Sequence, residues 1–390
     1  MDGTGALRRF DFFQAADDVR LVARGEVHAD EIRIEVDQGG ETQTLSFPIT
    51  KPPQVGLSLE DAIKRTPLSV GLRFSVPFFN PVVMADGTMD MHVTDVTLLP
   101  NGEEAYWIES SFQGVETKEL VLPTGEVLRQ EGALGMSIVR MGKDEAQAIP
   151  EDAAPVDLIA LSAVHLKGRL RDARKATALT LRVTGVDPAK IPNAPPLQTV
   201  SGDQVSTDVP LWEELPTLPV RDDSDPSWLA ATQNLPAQNP EILDRAREVV
   251  GDATDRKTAV KRLVDWVYTH VDKVPTMGVP NGLEVLHTLR GDCNEHTALL
   301  VSLARAAGIP ARIAAGVVYS DRVTGEGAFY YHAWPEVRMG GPTDWVPVDP
   351  TFGQLPADAT HIKLVEGDLD RQVEIMGYLG KLGLEVVSQR

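Results

Sequence analysis

The chain has 390 residues, with 57 acidic against 37 basic side chains, a formal charge of −20 and a pI near 4.8. That balance opposes attachment to nucleic acid or to an anionic membrane surface through bulk electrostatics, and accommodates basic or neutral protein partners more easily. No run of about 18 apolar residues offers a membrane span, no charged-then-apolar leader stands at residues 1–5, and a lone cysteine excludes an intramolecular disulfide.

The first part of the chain reads as β-rich. Residues 32–36 and 44–47 flank Gln38-Gly39-Gly40, and residues 91–99 and 104–112 flank Asn101-Gly102; both are hairpin signatures. Another pair surrounds Pro123-Thr124-Gly125, and residues 57–63 add a short helix. A smaller β unit follows at 155–212, with its best strand at 178–183. Prolines then crowd at positions 188, 192, 195, 196, 210, 216, 219 and 226, which makes an extended segment that resists helix. The acidic cluster Asp222-Asp223-Ser224-Asp225 lacks the glycine and terminal glutamate of a calcium loop and reads as solvated linker. The expected organisation is a β-rich domain at 1–150, a smaller β unit with a proline-rich linker at 151–225, and a third domain at 226–390.

Helices open that third domain. Asn239-Pro240 starts one that Val250-Gly251 ends. Thr254 or Asp255 caps a second, whose Val260, Leu263, Val264, Val267 and Val271 recur at helical spacing. Residues 282–289 form a short helix that delivers the chain to Gly291-Asp292-Cys293-Asn294-Glu295-His296, where a polar turn runs into an apolar stretch. The lone thiol therefore opens a helix, and the partial positive charge of a helix N-terminus biases a cysteine toward thiolate.

Gly308 and Ile309-Pro310 stop that helix, and residues 311–319 supply a strand. Gly316 thins its middle where a backbone or a substrate could approach. Arg312, near its start, reads as a structural ion-pair former. Residues 329–338 and 345–351 are strands joined through Met339-Gly340-Gly341-Pro342-Thr343, which places His332 and Asp349 on neighbouring antiparallel strands. If the cysteine helix packs on that sheet, the imidazole can take the thiol proton while the carboxylate fixes its tautomer. The layout is α+β. His287, Cys293 and His296, with Asp292 and Glu295 beside them, lack the second ligand pair of a structural zinc site, so no metal is expected.

These residues resemble the transglutaminase-like superfamily of papain-type cysteine enzymes. The resemblance rests on Gly291 and Cys293 opening a helix, on residues 305–312 (Arg-Ala-Ala-Gly-Ile-Pro-Ala-Arg), on 332–337 (His-Ala-Trp-Pro-Glu-Val) and on 345–351 (Trp-Val-Pro-Val-Asp-Pro-Thr). It covers residues 237–355. It implies a papain-like core, a helix bundle packed on an antiparallel sheet, in a bacterial-type protein with a β domain ahead of the catalytic one, and it weakly favours an extracytoplasmic setting. It also implies Cys293 as nucleophile, His332 as general base and acid, and Asp349 as the orienting carboxylate, without a cofactor. Many relatives place an aromatic oxyanion donor near the position of Lys273; here Lys273-Val274-Pro275 stands instead, and Asn281, Trp266 and Tyr268 are substitutes among which the sequence makes no choice.

The expected function is cysteine-dependent acyl transfer on a protein or peptide amide through a thioester on Cys293, leaning to peptide hydrolysis. Glutamine crosslinking, deamidation and a non-catalytic binding module on the same scaffold are the alternatives. Oligomeric state is left open.

Overall fold

The computed structural model describes residues 7–390 apart from 17–18, 39–40, 52, 54–55, 81–84, 149–157, 275, 277–279, 324, 326, 342–343 and 368. The chain divides into two compact units, Met1–Leu161 and Ser162–Arg390, where the sequence reading drew three.

The first unit contains an antiparallel meander of β1 (Arg9–Ala16), β2 (Val19–Val27), β3 (Glu31–Gln38) and β4 (Glu41–Pro48). After helix α1 (Gly56–Lys64) come β5 (Arg73–Asn80), β6 (Ala85–Leu98), β7 (Glu104–Phe112), β8 (Val115–Val121), β9 (Val127–Glu131) and β10 (Ser137–Val139), hydrogen-bonded in that order into a second sheet. Strict alternation drives these strands: Ile32, Ile34 and Val36 of β3 are buried while Arg33 and Glu35 face outward. The expected hairpins are formed by β3 with β4, β6 with β7 and β8 with β9. The turn residues 39–40 of the first lie outside the described residues. Ile63 of α1 packs with Met91, Val93, Ile108 and Val121, and the buried Phe79 ring joins the two sheets by meeting Phe10 at 5.5 Å and Phe47 at 5.8 Å.

Short helices α2 (Lys143–Gln147) and α3 (Leu158–Ser162) lead to the second unit. There β11 (Val164–Lys167), β12 (Ala178–Thr184), β13 (Gln198–Ser201) and β14 (Gln204–Asp208) precede helices α4 (Pro240–Val250) and α5 (Arg256–His270). The two-residue strand β15 (Asp272–Lys273), helix α6 (Gly282–Thr288) and the two-residue β16 (Arg290–Gly291) lead into α7 (Cys293–Ala306). Strands β17 (Ala311–Ser320), β18 (Ala328–Arg338), β19 (Trp345–Pro347), β20 (Ile362–Glu366) and β21 (Gly383–Gln389) complete the chain. The starts of α4 and α5 follow their sequence signals, with Asn239 and Asp255 each accepting a backbone N–H as N-cap; Asn281 caps α6 in the same way.

One sheet unites most of these strands in the order β13-β14-β12-β21-β11-β18-β17-β20, with β19 also paired to β18. Strands β11 to β14, expected as part of a separate small β unit, thus lie in the same sheet as β17 and β18. The reason is long-range: β12, with Leu179, Leu181 and Val183 buried, pairs on one side with β21 at the far end of the chain. The segment at 210–226 faces solvent over most of its length, as a linker should, but is anchored to the core through the buried Leu215 and to α5 through its backbone and Asp222. The Arg256 backbone N–H donates to Leu218 O at 2.8 Å, and the buried Arg256 guanidinium pairs with Asp222 at 3.3 Å.

Helix α7 is enclosed on every side: every position from Glu295 to Arg305 is buried, its apolar centre filling the core and its polar ends held by hydrogen bonds. Leu299, Leu300, Val301 and Leu303 share a core with Ile242 of α4, Leu263 and Val267 of α5, Ile313 of β17 and Val337 of β18. Burying an aliphatic side chain contributes about 1.5–3 kcal/mol, so this helix is held firmly against the sheet.

Candidate active site

Helix α7 is started by a capping box. The Asp292 carboxylate accepts the Asn294 backbone N–H at 2.9 Å, and Glu295 Oε2 accepts the Asp292 backbone N–H at 2.9 Å. Gly291 is required by this arrangement, since a Cβ there would stand 2.2 Å from the Glu295 Cβ. Cys293 is the first helical residue and keeps partial solvent access. Its thiol lies within hydrogen-bonding range of the Ala333 backbone, and one turn along the helix Thr297 Oγ1 donates to Ala333 O at 3.1 Å. The start of α7 is therefore docked on β18 beside His332.

The expected thiolate bias is not what this environment produces. Burial pushes the Cys293 thiol well up, and the charges of Asp292, Glu295 and Asp349 add to the effect; the Ala333 backbone contact pulls the other way. The carboxylates that cap the helix oppose its dipole at the thiol. Glu295 itself is raised to about 7 by burial and by Asp292, and it accepts a bond from Thr276 Oγ1 at 2.7 Å.

His332 sits in β18 opposite Gly316 of β17. Its Nε2 meets Asp349 Oδ2 at 2.9 Å, and Phe352 stacks on the ring at 4.9 Å with an interplanar angle of 8°. With Nε2–H donated to a carboxylate, the neutral ring presents the Nδ1 lone pair, the form a proton acceptor needs. Asp349 follows β19 rather than lying within it. Its Oδ1 accepts the backbone N–H groups of Thr351 at 2.7 Å and Phe352 at 3.0 Å, so the turn after the strand locks the carboxylate.

A second histidine shares that carboxylate, and sequence reasoning missed it. His361 Nε2 lies 3.1 Å from Asp349 Oδ2, and its Nδ1 lies 3.0 Å from Asp358 O. Both ring nitrogens face acceptors, so both carry protons. Burial disfavours the imidazolium, but the hydrogen bonds and charges of Asp349 and Asp358 override it and raise the pKa to about 9. Asp349 is likewise opposed by burial yet held well below the usual carboxylate range by His332 and His361. Gly316 permits this arrangement by letting β20 approach: a Cβ there would stand 2.0 Å from Ile362 O.

Because His361 gains protons on folding, its contribution is complete below its unfolded pKa of about 6.5 and is lost as pH rises toward 9. Unfolding free energy is therefore expected to fall by up to about 3 kcal/mol across that window. Denaturant midpoints measured from pH 6 to pH 9.5 check this, and His361→Gln is expected to flatten the slope.

Of the residues weighed as oxyanion donors, Asn281 is engaged elsewhere, and the rings of Trp266 and Tyr268 pack against neighbouring side chains. Asn281 Oδ1 caps α6 and its amide donates to Gln233 O at 2.8 Å. Trp266 stacks on His270 at 4.6 Å, and Tyr268 lies under Lys273 Nζ at 4.3 Å. Of the zinc candidates, His287 meets Glu241 at 2.9 Å and His296 Nδ1 meets Asp292 O at 2.7 Å. The donor atoms of His332, Asp349 and His361 lie within 4.8 Å of one another, close enough for a cation, but the bonds at 2.9 and 3.1 Å already employ them as an acid–base chain. Arg312 is structural, as expected. It binds Glu336 and Glu366 and packs 4.3 Å from the Trp345 ring centroid.

Residues 244–350 match the model of the transglutaminase-like superfamily core. An uncharacterized protein of Mycobacterium leprae is 33% identical over 147 residues, 36% of this chain and 50% of that protein, so the chain spans about half the length of the curated relative it matches. Among solved structures, a provisionally named cysteine protease of Cytophaga hutchinsonii shares 16% identity at a TM-score of 0.36, covering 55% of this chain and 86% of its own. The periplasmic domain of TgpA from Pseudomonas aeruginosa, bound to ethylmercury, shares 19% identity at a TM-score of 0.27, covering 46% and 92%.

Proposed function

Since residues 244–350 carry a transglutaminase-like core, we propose that the protein is a cysteine-dependent acyl-transfer enzyme acting on peptide or protein amides. The observation that carries this reading is the buried His332–Asp349 pair at 2.9 Å, whose histidine lies in the strand on which the Cys293 end of α7 docks.

The thiol begins protonated, so attack and proton removal go together. Cys293 Sγ adds to the amide carbonyl carbon while His332 Nδ1 takes the thiol proton. Asp349 holds the ring and stabilises the imidazolium. Collapse of the tetrahedral intermediate breaks the C–N bond, the imidazolium protonates the departing nitrogen, and a thioester remains on Cys293. His332 then removes a proton from water, which hydrolyses the thioester, or from an amine, which yields a new amide. Peptide hydrolysis is the outcome we favour; crosslinking uses the same residues up to the thioester. The family resemblance weakly favours an extracytoplasmic setting.

Incubation with a mixture of peptides, followed by mass spectrometry, tests the reading. New termini or +1 Da deamidation products that vanish with Cys293→Ala support it. Identical product patterns from parent and variant would overturn it.

A further inference from the structure

Charge is distributed against the average of the chain around this site. A cavity of about 760 Å3 lies within the second unit, and Phe352, which stacks on His332, is part of its wall. Lys273 is another part, and in the β15–β16 pair it stands opposite Gly291, two residues before Cys293. The cavity thus reaches the ring that covers the imidazole and the strand pair that leads to the thiol.

Arg174, Lys175, Lys273 and Arg322 line it, against only Asp172 and Asp321. This inverts the sign of a chain that carries −20. Arg174 is fixed by Asp358 at 3.0 Å and by packing 4.4 Å from the Phe352 ring centroid, so one cation is held directly over the ring that supports His332. Lys175 and Arg322 are exposed, and among the described residues neither forms an ion pair. Tyr268 and Tyr319 add aromatic walls with hydroxyl donors. Concave shape, apolar rings and converging cations together suit a peptide bearing carboxylates.

We propose that this cleft selects acidic peptides, with Asp or Glu side chains near the amide that Cys293 attacks. The inference rests on the acyl-transfer reading for the identity of that amide. The overall negative charge acts at long range, where salt screens it within about 10 Å, whereas contacts inside the cleft survive screening. Specificity is therefore set by the local cations, and the basic or neutral partners expected from net charge are not the preferred ones.

The test measures binding and turnover separately. Fluorescein-labelled peptides, identical except for Glu or Lys at the variable positions, are titrated by anisotropy against Cys293→Ala at physiological ionic strength. The Glu peptide is expected to bind on the order of tenfold more tightly. Adding Lys175→Glu and Arg322→Glu is expected to reverse that ratio, which a general loss of folding would not do. Equal affinities, or tighter binding of the Lys peptide, would overturn the proposal. In the parent enzyme, equal kcat/KM for the two peptides would overturn it while leaving the acyl-transfer reading intact. Preferential binding of the Glu peptide without turnover of any peptide would instead uphold the acidic cleft and overturn the catalytic reading.

Discussion

His332→Gln is expected to lower kcat for peptide turnover by about a thousand- to ten-thousandfold. Glutamine keeps most of the volume under Phe352 but cannot cycle a proton between the thiol and the leaving nitrogen. The loss is expected to be large here because burial and three nearby carboxylates raise the Cys293 thiol well above its ordinary range, so little thiolate exists to react unaided. Cys293→Ala is expected to fall at least as far. The double variant is expected to fall no further than Cys293→Ala alone, since residues acting as one unit do not contribute additively. Single-turnover rates of the three variants check this, and a double variant with the product of the two separate losses would show that His332 and Cys293 act independently.

The second large effect concerns stability. Glu336 is buried in β18 between two buried cations: Arg312 Nη2 lies 2.7 Å away, and Lys363 Nζ lies 2.9 and 3.0 Å from its two oxygens. Glu366 completes the cluster by pairing with both cations from the end of β20. Removing Glu336 leaves a guanidinium and an ammonium in a low-dielectric site with one partly exposed carboxylate between them. Glu336→Ala is expected to cost about 3–5 kcal/mol, lowering Tm by about 10 °C. Replacing Arg312, Glu336 and Lys363 together by apolar residues of similar volume is expected to cost far less, because no charge is then stranded. Thermal unfolding of the single and triple variants separates these outcomes.

The parts of this site that were legible in the sequence are those written locally. The caps at Asn239 and Asp255 announced helices whose buried faces follow the expected periodicity, and the polar turn at residues 291–296 announced the start of α7. The aromatic strand carrying His332 and the Trp345 strand before Asp349 were equally visible, and both pair as expected.

What escaped depends on residues that meet only through the fold. His361 stands twelve positions beyond Asp349 in a stretch with no motif of its own, and it reaches the carboxylate because β20 pairs with β17 across Gly316. The available signal was only a histidine immediately before the strand Ile362–Glu366, ten residues beyond Thr351 of the Asp-Pro-Thr turn. Strand β21 was unread because its partner β12 is near the middle of the chain. Net charge gives no sign of the cleft's basic lining for a related reason. The total sums the whole surface, while Arg174, Lys273 and Arg322 come from separate segments that converge only in three dimensions. The thiolate expectation weighed the helix dipole and omitted Asp292 and Glu295, although both stand beside Cys293 in the sequence.

The most direct test of the central claim, that His332 draws the proton from Cys293, is the rate of Cys293 alkylation by iodoacetamide at pH 7 in the parent and in His332→Ala. General-base help predicts that the parent reacts about a hundredfold or more faster, with the difference persisting past about pH 8.5, where a free cysteine would ionise, because burial and the neighbouring carboxylates hold this thiol protonated. Equal rates in the two proteins at pH 7, each following a simple thiol titration, would contradict the account.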